Sequence, residues 1–90
     1  MSNHLSIRPE DILPDGVDTA LIDGKSIRKG TIAAFLANAD IFEHPNSTDK
    51  QKEEAIKAMN ELAPVVIAVG LHRHVVFKNK EIEQILVAAE

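Results

Sequence analysis

Apolar positions change period along this chain, and each change marks an element. Residues 17–22 and 25–28 alternate with period two around Asp23-Gly24, with Val17, Thr19 and Leu21 set against Asp18, Ala20 and Ile22. Asp-Gly between two such runs predicts a β-hairpin, because a type I′ turn needs positive φ at both central residues. The period then lengthens. Ile32, Phe35, Leu36, Ala39 and Phe42 share one helical face, which Gly30-Thr31 opens with Thr31 as the expected N-cap and Pro45 closes. A second helix starts at Thr48-Asp49-Lys50-Gln51, a capping box in which side chain and backbone satisfy each other's free groups. Its stripe is Ala55, Ile56, Met59, Leu62, Ala63, Val66 and Ile67, opposite Lys50, Glu53, Glu54, Lys57 and Glu61.

Pro64 leaves two readings. The helix kinks there, or a new one starts with proline in its first turn. Gly70 suits the residue just beyond a helix ending at Val69. Residues 71–78 read either as a strand, with Leu71, Arg73, Val75 and Phe77 on one side, or as a loop and turn. Asn79 then caps a last helix with the face Ile82, Ile85, Leu86 and Ala89. Residues 1–14 read as an N-terminal arm, in which Pro9 and Pro14 hold Arg8 and Leu13 extended. The expected fold is α+β: one domain over 15–90, a hairpin followed by two to three packed helices, with room for a third strand near 74–77.

Composition narrows the chemistry. The chain has 90 residues and no cysteine, which removes disulfides, thiolate nucleophiles and Cys-ligated zinc. No leader pattern and no apolar run of about 20 residues is visible, so the expectation is a cytoplasmic protein without a membrane partner. A net charge of −4, three Phe and neither Trp nor Tyr disfavour nucleic acid. The charge is uneven, though. Lys25, Arg28 and Lys29 form one basic island, and Arg73, Lys78 and Lys80 another.

Four groupings are candidates for chemistry. Lys25, Arg28 and Lys29 run into Thr31 at a helix start, where free N–H groups can hold an anion. The spacing is not that of a P-loop, and a hairpin rim with a helix cap explains the same residues. His72 and His74 would share one face of a strand and could ligate a metal with His4, His44 or a carboxylate, but Arg73 between them opposes a cation. An ordinary histidine pair is the simpler reading. Glu10, Asp11, Asp15 and Asp18 sit among turn residues and read as solvated charge. Leu62, Val65, Val66, Ile67 and Val69 belong to a segment apolar all round, which points to the centre of the fold or to an interface in a homodimer. No cofactor is implied, and no nucleophile arrangement supports an enzyme.

Residues 21–38, LIDGKSIRKGTIAAFLAN, resemble the DG-x-x-V-x-x-GTVA-x-x-L-x-N stretch of a small bacterial family of unknown function. Residues 62–71, LAPVVIAVGL, are similar to that family's second block, and the resemblance spans roughly residues 15–78. His72-Arg73-His74 departs from it. The resemblance implies an α+β fold and a bacterial source, and no activity. These readings leave three functions open: a non-catalytic, self-associating interaction or structural module, a nucleic-acid-binding regulator using the basic hairpin rim, or a small anion- or metal-binding protein.

Overall fold

The computed structural model describes residues 7–13, 16–22 and 24–90. His4, Pro14, Asp15 and Asp23 lie outside the described residues. The order is a short helix α1 (Pro9–Ile12), strands β1 (Thr19–Ile22) and β2 (Lys25–Arg28), helices α2 (Thr31–Glu43) and α3 (Asp49–Val69), a 3-10 turn (Leu71–Arg73) and helix α4 (Lys80–Ala89). This is an α+β chain: a two-stranded antiparallel hairpin followed by helices.

Within the expected arm, Arg8 and Leu13 are extended, and the four residues between them form one helical turn. Pro9 takes the first helical position, where a missing N–H costs nothing. The Arg8 N–H donates to Asp11 Oδ2 at 2.9 Å and closes that turn. The hairpin pairs Ile22 with Lys25 and Ala20 with Ile27, and Gly24 has φ +76°. Ala20 and Ile22 are half-buried and Ile27 is buried, whereas Thr19 and Leu21 face solvent.

The core is helical. Phe35 and Ala39 of α2, Met59, Ala63 and Val66 of α3, and Ile82 and Leu86 of α4 form one buried cluster. Both α2 and α4 pack on α3, and β2 also touches it. The Thr48 box forms as the spacing predicts: its hydroxyl oxygen accepts from the Gln51 N–H at 3.1 Å, and the Gln51 carbonyl oxygen accepts from the Thr48 N–H at 2.8 Å.

Three details differ from the expectations or choose between them. First, the N-cap of α2 is Gly30, in the left-handed region, and not Thr31. The Thr31 hydroxyl instead donates to the Arg28 carbonyl at 2.6 Å, which ties the helix start to the strand end. Second, α3 continues through Pro64. A proline inside a helix costs roughly 3 kcal/mol. Pro64 lies on the exposed side while Ala63 and Val66 are fully buried, so packing on both sides of it keeps the helix whole. Third, residues 74–77 form no strand. The Arg73 N–H donates to the Gly70 carbonyl and the His74 N–H to the Leu71 carbonyl, winding the chain into a turn. Phe77 then packs edge-on against Phe35, with ring centroids 5.6 Å apart. That contact draws the segment to the helices and away from the hairpin.

Gly70 makes the abrupt stop possible. Its φ of +97° is costly for a residue with a Cβ, and its N–H still donates to the Ile67 carbonyl at 3.0 Å.

Two substitutions should act in opposite directions in urea unfolding. Phe35→Ala empties the centre of the cluster and is expected to cost about 3–5 kcal/mol. Pro64→Ala restores a helical N–H on an exposed face and is expected to stabilise by up to about 3 kcal/mol. A destabilising Pro64→Ala would mean that the proline shapes the packing of α3.

Candidate functional site

Two places in the fold concentrate polar groups or exposed apolar surface. The first is the hairpin end. Ile12 and Leu13 from the α1 region, Ala20 and Ile22 from β1, Ile27 from β2 and Val69 from α3 line a groove of about 330 Å³. The inward residues of the hairpin form one wall. Arg28 and Lys29 also line it, Ile12 at its edge is 51% exposed, and Leu21 on the opposite face of β1 is 76% exposed.

The backbone there also has open outer edges, since among the described residues the sheet has two strands only; on β2 the Arg28 carbonyl is taken by Thr31, whereas β1 has no such tie. In an antiparallel pair, alternate residues of a strand direct both N–H and C=O to the partner strand, and those between direct theirs outward. The Lys29 N–H donates to the Asp18 carbonyl at 2.8 Å, which places Asp18, Ala20 and Ile22 on the inward set. Thr19 and Leu21 therefore direct their backbone groups to the outer edge of β1. Among the described residues nothing pairs with that edge.

The basic residues of this end do not converge. Lys25 and Arg28 are an odd number of positions apart on β2 and so lie on opposite faces. The Lys29 ammonium lies 3.9 Å from Asp18 Oδ1, in an exposed pair. Thr31 is buried, with its hydroxyl already donated to Arg28. The four residues expected to grip an anion are thus neighbours without a common focus.

The second place is a clamp on His72. Its side chain is 9% exposed. Nε2 lies 2.6 Å from Glu83 Oε2, and Nδ1 is bonded to Glu90 Oε2. The other oxygen of Glu83 accepts the Phe77 N–H at 2.9 Å. Asn79 sets the start of α4, its side-chain oxygen accepting from the Glu81 N–H at 2.9 Å and the Ile82 N–H at 3.2 Å. One turn later Glu83 points back under the loop. Glu90 lies seven residues on, two turns along the same face.

These contacts shift both partners. The Glu83 carboxylate, and then that of Glu90, raise the His72 pKa above its ordinary 6.5. The Phe77 N–H, and then His72, lower the Glu83 pKa below its ordinary 4.5. His74, the expected second metal ligand, lies beyond the 3-10 turn, is exposed and takes no part. The two carboxylates occupy opposite ring nitrogens, so no single ion could meet all three side chains. Among the described residues no three or more His, Asp or Glu are grouped to hold a metal.

Most of the expected interface lies inside the chain. Val66 is fully buried. Leu62 and Ile67 pack on the core cluster. Val65 and Val69 are half-buried, and Val69 lines the hairpin groove. The apolar surplus of 62–69 is largely consumed by α2 and α4, and exposed apolar side chains lie elsewhere, at Ile12, Val17 and Leu21 around the hairpin and also at Val75 and Val76 in the loop after α3. Among the described residues no helix is long and apolar enough to cross a membrane. The chain matches no family model, no curated protein and no solved structure.

Glu83 and Glu90 are the residues that sequence reasoning missed. Their signal was an i, i+7 carboxylate pair on one helix face behind a histidine-bearing turn.

The clamp has a definite pH signature. Because the folded state raises the His72 pKa, its contribution is complete below pH 6.5 and is lost as pH rises through the native value. Because the folded state lowers the Glu83 pKa, its contribution is complete above pH 4.5 and is lost as pH falls through the native value. Urea midpoints should therefore peak between these limits. Glu83→Gln should lower the midpoint within that range and flatten both limbs, and an unchanged profile would remove the clamp from the stability account.

Proposed function

We propose that this chain is a small, non-catalytic interaction module that self-associates by pairing β1 with β1 of a second copy. The observation that carries this reading is the outer edge of β1. It has outward N–H and C=O groups at Thr19 and Leu21, and Leu21 is 76% exposed beside it. A two-stranded hairpin is marginal alone and gains from further strands. An open edge with apolar side chains is the usual template for another strand. Antiparallel β1–β1 pairing is its own mirror under a two-fold axis, so it gives a closed dimer with a four-stranded sheet.

Each half of that sheet already rests on its own helices through Ile27 and Val69. Leu21 then meets its symmetry copy, and Ile12 and Val17 flank the junction. The supports for a non-catalytic role are the absence of cysteine and the engagement of His72 and Glu83 in a structural clamp. The regulator and anion-binder readings have weaker support, because Arg28 lies on the face opposite Lys25 and Lys29 is paired with Asp18.

The test is light scattering on the eluting protein across micromolar concentrations, with native mass spectrometry beside it. The expected mass is twice the 9.9 kDa protomer. Leu21→Pro removes only an outward N–H, so it should leave the hairpin paired and yield the protomer mass. A wild-type protein at the protomer mass throughout would refute the reading. A dimeric Leu21→Pro would refute β1 as the contact.

A further inference from the structure

The His72 clamp carries an inference independent of self-association. A neutral imidazole has one N–H and one lone pair. Between two carboxylates it can donate to one, and its lone pair then faces the other. Only the imidazolium, with both ring protons, satisfies Glu83 and Glu90 together.

The two arms are unequal. Glu83 is 21% exposed and is fixed through its second oxygen by the Phe77 N–H. Glu90 is 51% exposed, and among the described residues its side chain makes no bond other than that to His72. The elements around the ring leave these carboxylates in control. α3 touches the turn, and its final residues 63–69 hold no titratable side chain. In the turn and loop, the Arg73 guanidinium folds back over Gly70, and His74 and Lys78 are exposed outside any ion pair among the described residues. On α4, Lys80 and Glu81 are exposed and make no bond to the ring.

We propose that His72 is a proton-operated latch: with both ring protons it ties the last turn of α4 to the turn after α3, and loss of one proton releases the Glu90 arm while the Glu83 arm holds. The helix itself stays docked, because Ile82 and Leu86 are buried in the core and do not titrate. The moving part is the end of α4 beyond Leu86, together with the surface of the turn.

Ring-nitrogen NMR of the full chain, recorded with amide hydrogen exchange over the same pH series, tests this. The His72 midpoint is expected above the ordinary value of about 6.5. After division by intrinsic exchange rates, opening of the last turn of α4 should rise with pH by up to tenfold per unit between the ordinary and native midpoints. The amides of Ile82–Leu86 should stay protected. Glu90→Gln should lower the His72 midpoint and abolish the pH dependence of exchange in that turn. A His72 midpoint at or below the ordinary value overturns the latch. So does a last turn whose corrected exchange ignores that titration, or a midpoint that Glu90→Gln leaves in place.

Discussion

Everything else in this fold depends on one stripe of α3. Ala55, Met59, Ala63 and Val66 are buried along one side of the helix. Alternation of small and large residues lets neighbouring helices approach at the alanines and interlock at Met59 and Val66. Phe35 and Ala39 fill the stripe from α2, and Ile82 and Leu86 fill it from α4. The same packing explains why α3 tolerates Pro64. The cost of one proline is small beside several buried side chains, each worth about 1.5–3 kcal/mol by transfer.

The hairpin stands outside that arrangement. It joins the helices through Ile27, Val69 and the Thr31 to Arg28 hydrogen bond, while its outer strand keeps an open edge. Stability is thus graded along the chain, from a fully satisfied helical core to a partly satisfied sheet. At the same end of α3, just after Val69, Gly70 reverses the chain. The loop that follows is held by two anchors of different kinds, Phe77 against Phe35 and His72 between two carboxylates. One anchor is indifferent to pH and the other is not. The core can therefore persist while the end of α4 responds to protons.

Local chemistry was legible in the sequence wherever neighbouring residues decided the outcome. The Asp23-Gly24 hairpin, the Thr48–Gln51 box, the Asn79 cap and the Gly70 stop each rest on contacts spanning a few residues. What was not legible depends on distant partners. Period two at Leu71, Arg73, Val75 and Phe77 is too short to outweigh the pull of Phe35 on Phe77, so a strand reading became a turn and loop. Pro64 was ambiguous because its tolerance is set by α2 and α4. Val66 read as interface material because the sequence does not say which helices cover it. The His72 clamp joins residues 11 and 18 positions apart, beyond any local pattern.

On the proposed reading, a second copy closes the open edge of β1. The most direct measurement is amide hydrogen exchange on dilute and concentrated samples of the same protein. If the account holds, protection grows with concentration at Thr19 and Leu21, whose N–H groups point outward, and stays constant at Ala20 and Ile22 and along α2 and α3. Protection at Thr19 and Leu21 that is independent of concentration, or growth confined to the helices, would contradict it.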